Sequence, residues 1–102
     1  MAQLIVTRWR DIPSMVVVRE GRKAAKRELP LRFTEAIDAC AMRVGAKDSD
    51  AYLAEWRREA PVEVGGDLEA EAESAAARLD AEYDRARLAA LVKRDGREEG
   101  NP

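Results

Sequence analysis

The sequence contains no histidine. Histidine is the usual general base near neutral pH and the commonest zinc ligand, so Ser-His catalysis, Cys-His catalysis and every His-containing metal site are excluded. A single cysteine, Cys40, leaves no partner for an intramolecular disulfide and no set of thiolates for a zinc cage. That economy suits a reducing compartment, and a cytoplasmic protein is expected. No apolar run approaches the roughly 20 residues that a membrane helix needs. The start, Met1-Ala2-Gln3, reaches Arg8 after one short apolar run and resembles no signal peptide. No membrane association is expected. Gly65-Gly66 is too little to form a phosphate cradle. Carboxylates are plentiful, yet no two can be placed across a cleft, so paired acid/base chemistry of the glycosidase kind finds no support.

What is present fits one domain of 102 residues, with 46% hydrophobic residues for a modest core and no large enclosed cavity. The net charge of −2 hides an asymmetry: residues 1–47 carry a net +5 and residues 48–102 a net −7. Either the halves face and neutralise each other, or the basic half forms a face for an anionic partner.

Gln3 to Trp9 reads as a strand, with Leu4, Ile5 and Val6 followed by Thr7 and Trp9. Arg10 to Ser14 supplies turn chemistry, and Met15-Val16-Val17-Val18 makes a second strand that pairs with the first as an antiparallel hairpin. Its continuous apolar run suits a strand covered on both faces, or one end of a small sheet. After Gly21, residues 22–29 read as a short basic helix ending before Pro30. Pro30 can open the next helix, whose Phe33, Ile37, Cys40 or Ala41, and Val44 form an apolar stripe stopped by Gly45. Ser49 reads as the N-cap of a third helix carrying Tyr52, Leu53 and Trp56 and ending before Pro61. Val62-Glu63-Val64 makes a short strand. From Asp67 to about Arg94 there is neither Pro nor Gly, and Leu68, Ala72, Ala75, Leu79, Tyr83, Ala86 and Ala90 mark one long helix. Its acidic start and basic end complement the helix dipole.

The expected fold is α/β (α+β): a small antiparallel sheet, made of the hairpin and a short third strand, covered by helices. Residues 1–66 form the compact unit, 67–95 a long C-terminal helix of the same domain, and 96–102 a frayed tail.

Two segments are candidates for binding. At the hairpin end, Arg8, Trp9 and Arg10 combine an aromatic face with fork-shaped donors, suited to an anionic or flat ligand or to a protein hot spot. The alternative there is that Trp9 packs on the sheet while the arginines stay solvated or pair with Asp11. In the basic segment, Arg22 with Lys26 and Lys23 with Arg27 fall at i, i+4 on one helix face that could grip phosphates, although no nucleic-acid motif surrounds them. Cys40 sits within an apolar stripe with no base to activate it and reads as packing. Trp56 reads as the closure of a core.

The stretches VTRWRDIPSMVVV, GRKAAKRELPLRFTEAIDACAMRVGA and DAYLAEWRREAP resemble a family of small bacterial proteins described as virulence factors. That description names a phenotype and supplies no catalytic residues. The resemblance implies proteins that occur beside folate- and corrinoid-dependent one-carbon enzymes, hence an accessory role to a larger enzyme. The expected function is a non-catalytic accessory or protein-interaction module with no cofactor and a protein partner. A nucleic-acid-binding protein using the basic half is the alternative, and an enzyme using carboxylate, Lys or Arg chemistry comes third.

Overall fold

A computed structural model describes residues 2–46 and 50–98. Strands β1 (Ala2–Trp9) and β2 (Ile12–Glu20) pair antiparallel, with Leu4 opposite Val18 and Val6 opposite Val16. The register shifts between Thr7 and Arg8, just where Pro13 cannot donate a ladder hydrogen bond. Arg10 turns the chain with φ +54°, a left-handed conformation that costs a non-glycine residue of order 1 kcal/mol.

The basic segment forms a strand, not a helix. Strand β3 (Lys23–Glu28) pairs antiparallel with β2, entered through Gly21 at φ +62°. Ala, Lys, Arg and Glu favour helix locally, but the free edge of β2 offers a full ladder of backbone partners, and Ala25 opposite Val18 is buried. A second reading changes for the same reason. The expected third helix is only α2 (Asp50–Ala54), and Trp56–Arg58 forms strand β4 on the other edge of β1, with Trp56 opposite Trp9. Its expected cap, Ser49, lies outside the described residues. Strand β5 (Val62–Val64) continues along the same edge, completing a five-stranded sheet of order β3-β2-β1-β4.

Helix α1 (Leu31–Arg43) buries Phe33, Ala36, Ile37, Cys40 and Ala41, close to the expected stripe. It ends in a Schellman motif: Ala46 N–H donates to the Ala41 carbonyl at 2.8 Å and Gly45 N–H to Met42 at 3.2 Å, with Gly45 at φ +73°. The C-terminal helical segment is divided. Helix α3 (Leu68–Glu82) stops at Tyr83, and Asp84 caps a new helix, α4 (Arg85–Lys93), by accepting from Arg87 N–H at 2.8 Å. The break changes the phase of the seam, so Leu88 and Leu91 are buried while Ala86 and Ala90 are exposed.

Helix α3 packs on β2 and β3, α1 on β2, and α4 on α1. The core joins Leu4, Val6, Trp9, Ile12, Val16, Val18 and Ala25 of the sheet to Phe33, Ile37, Leu79, Tyr83, Leu88 and Leu91 of the helices. Residues 95–98 are held by hydrogen bonds, while 99–102, the rest of the tail expected to fray, lie outside the described residues. Gly96 accepts from Asp11 N–H at 2.9 Å, and Glu98 N–H donates to the Asp11 carboxylate at 2.6 Å. A Cβ at Gly96 would stand 3.1 Å from Cys40 Sγ and 3.2 Å from Arg10, and its φ of +80° also favours glycine.

Candidate interaction surface

The hairpin end is packed into the fold, with Arg10 Nε the one buried side-chain nitrogen or oxygen among the described residues that lacks a hydrogen-bond partner. Trp9 has no exposed surface, and its Nε1 donates to the Tyr52 carbonyl at 2.9 Å. The Trp9 and Tyr52 rings lie 5.7 Å apart, and Tyr52 meets Trp56 edge-on at 6.1 Å. Arg8 donates to Glu59 at 2.7 Å, to the Asp11 carbonyl at 3.1 Å and to the Tyr83 hydroxyl at 3.2 Å. Burial opposes the charge on Arg8, but the Tyr83 hydroxyl and Glu59 together outweigh it and hold the guanidinium above its ordinary value. Arg10 reaches the Asp95 carbonyl at 2.7 Å and Glu55 at 3.3 Å, which anchors its left-handed turn. Asp11 pairs with Arg57 at 2.9 Å rather than with its neighbouring arginines.

Asp11 also gives a pH signature. Burial raises its pKa, but the Glu98 backbone N–H and the Arg57 guanidinium outweigh burial and hold the carboxyl below its usual range. A depressed carboxyl stabilises the fold fully above its unfolded value, about pH 4, and loses that contribution as pH falls through the folded value. Asp11→Asn should therefore unfold at lower urea than wild type at pH 7, with the gap closing in acid. A gap that stayed constant down to pH 3 would remove the charge from this account.

The basic residues of the first half are sorted by the strand geometry. Arg27 faces the helices and grips Glu69 at 2.7 Å and Glu73 at 3.0 Å on α3. Arg32 holds Asp80 at 2.6 Å, and Arg43 holds Asp95 at 3.1 Å. With Arg8–Glu59 and Arg10–Glu55, the two sequence halves neutralise each other along these contacts. Arg22 and Lys23 sit exposed at the β2–β3 turn, away from the hairpin end. Lys26 points to the opposite face from Arg27, because neighbours on a strand alternate.

That opposite face is where an unassigned surface appears. Ile5, Thr7, Met15 and Val17 line a groove of about 310 Å³, rimmed by Arg19, Lys26 and Arg58. Ile5 is 5% exposed yet stands outside the core cluster. Thr7 lies opposite Met15 and opposite Arg58, and Val17 opposite Ile5 and Lys26, so adjacent strands place all of these on one side. Among the described residues, Arg19, Lys26 and Arg58 make no ion pair. No polar or charged residue is buried there or elsewhere among the described residues. Period-two alternation in the hairpin separates Ile5, Met15 and Val17 from Leu4, Val16 and Val18, so the floor was readable; Arg58 was not, because its segment reads as helix.

Over residues 7–92 the chain matches the family described as Virulence factor. It belongs to that family. No curated protein and no solved structure matches it. The matched span takes in the hairpin end, Val17, Lys26 and Arg58, while Ile5 lies just before it.

Other features of this family member are structural. Cys40 is wholly buried, and burial pushes its thiol up, away from the reactive thiolate. Cys40→Ala should cost about 1 kcal/mol or somewhat more through the cavity it leaves, and the native thiol should react with a bulky alkylating reagent only on unfolding. Fast labelling of the folded protein would mean that the site opens. Trp56 is half-buried against the core. Among the described residues no group of three His, Cys, Asp or Glu side chains could hold a metal ion, and no helix is long and apolar enough to cross a membrane.

Proposed function

We propose that this member of the Virulence factor family is a non-catalytic protein-interaction module that docks a partner on the open face of its sheet. The observation that carries the reading is a mismatch of cover. Strands β1 and β2 are apolar on both faces, as befits a strand with a layer on each side. The core helices pack on one side, and among the described residues none packs over Ile5, Met15 and Val17. Met15 and Val17 are only partly buried there, and a partly open apolar groove rimmed by unpaired cations supports reading this face as an interaction surface.

The charge distribution favours a protein over a nucleic acid. Five of the ten cations of the basic half pair with carboxylates of the acidic half, which takes half of its positive charge away from a phosphate backbone. No aromatic ring lines the groove to stack a base. The accessory relation to a folate- or corrinoid-dependent enzyme, implied by the resemblance, names the first partner to look for.

The test is site-resolved cross-linking in the native cell. A photoreactive residue at Val17 should cross-link one protein, and Met15→Glu with Val17→Glu should abolish that product while leaving the melting temperature within a few degrees. A photoreactive residue at Ala89, on the far side of the helical layer, should give no such product. Equal products from both positions, or cross-linked RNA at Val17, would refute the reading.

A further inference from the structure

Resting on the docking face just described, we propose that its occupant is an amphipathic helix of a partner protein with carboxylates on both flanks of its apolar stripe. The groove runs over the middle of the sheet, on β1 and β2, rather than along an edge. A partner strand would add to an edge, where unpaired backbone groups wait; an element laid on the face of a sheet buries its own apolar stripe there, and a helix does so as the second layer of an α/β arrangement. The opposite face of this sheet is already covered in that way by α1 and α3.

The cations set the chemistry of the flanks. Lys26 rises from β3 on one side of the apolar floor, Arg58 from β4 on the other, and Arg19 stands at one end. Glu28 and Glu63 share this face by register, opposite Met15 and Gln3, but neither lines the groove. A helix seated on Ile5, Met15 and Val17 therefore meets positive charge to both left and right of its apolar stripe. Carboxylates placed there pair with cations that the fold itself leaves unpaired, whereas lysines there meet like charge. A small amphipathic acid fits less well. Small-ligand sites orient their ligand with a few fixed, buried polar groups, and this groove offers none, only long exposed side chains.

The experiment uses the full chain with two synthetic peptides, each about five helical turns long and sharing one leucine stripe. One carries Glu on both flanks and the other Lys. Methyl resonances of Ile5, Met15 and Val17 are followed by NMR at about 0.15 M salt. The Glu peptide should shift these methyls, gain helicity on binding, and bind about tenfold tighter than the Lys peptide. Combining Arg19→Glu, Lys26→Glu and Arg58→Glu should reverse that order while the melting temperature holds. Equal binding of the two peptides, or an order unchanged by the triple reversal, overturns the acidic-helix proposal and leaves the docking face standing. Concentration-dependent shifts without any peptide, or decanoate displacing the Glu peptide at the same cations, would also overturn it, in favour of a second copy or a small acid. Methyls that neither peptide moves, together with lost cross-linking at Val17, would remove the docking face itself.

Discussion

Ending the chain at Gly66 is expected to abolish cooperative folding. The removed helices supply Ala72, Ala75, Leu79, Tyr83, Leu88 and Leu91 to the core, and their loss would bare Val16, Val18 and Ala25 on the sheet. Burial of a leucine is worth about 1.5–3 kcal/mol. Three leucines and a tyrosine together rival the whole stability of a domain this size, about 5–15 kcal/mol. The cut also strips the carboxylates Glu69, Glu73, Asp80 and Asp95 from Arg27, Arg32 and Arg43. The 1–66 fragment should show no sigmoidal thermal transition by circular dichroism. If it melted cooperatively near the temperature of the full chain, the helices would be an appendage and the core would have to lie elsewhere.

The parts of the fold that were legible are those whose signal is local. The hairpin announces itself through Leu4 to Thr7, the turn residues and Val16 to Val18, and α1 through its apolar spacing and Gly45. Strands β3 and β4 were not legible, because Lys23-Ala24-Ala25-Lys26 and Trp56-Arg57-Arg58 have no strand signal of their own. They become strands by pairing with edges that only the folded hairpin provides. The division at Tyr83 had a signal that a Pro- and Gly-free run concealed: Asp84, three residues before Arg87, in the position of a helix cap.

The candidate site follows the same rule. The neutralisation of basic by acidic half could be anticipated from net charge, but not which cations would be left over. Arg19, Lys26 and Arg58 converge only because β2 and β4 flank β1, and β3 flanks β2, in a particular register. Conversely, Arg8 and Arg10 stood out beside Trp9, yet the groups that absorb them, Glu59, Glu55 and the Asp95 carbonyl, lie far along the chain. A conspicuous local cluster thus serves as a clasp, while the unpaired cations gather elsewhere.

Trp9→Ala is expected to lower stability by about 3–5 kcal/mol, the usual cost of emptying a buried tryptophan site. The ring is wholly buried, stacks near Tyr52, and faces Trp56 across the β1–β4 ladder. Its loss would free α2 and β4, which are tied to the sheet through the Tyr52 carbonyl and through Arg10–Glu55. Trp9→Phe separates the ring from its donor: it keeps much of the packing but leaves the Tyr52 carbonyl only the longer bond from Glu55 N–H at 3.3 Å, a loss of about 0.5–1.5 kcal/mol. Urea denaturation of both variants, with wild type, measures the two contributions. Because Trp9 belongs to the helix-covered side and Val17 to the open side, folded Trp9→Phe protein should keep its cross-link at Val17. A Trp9→Ala protein that unfolded within about 0.5 kcal/mol of wild type would behave as a surface residue does. The hairpin end would then be free to meet a partner, and the division of labour between clasp and docking face would fail.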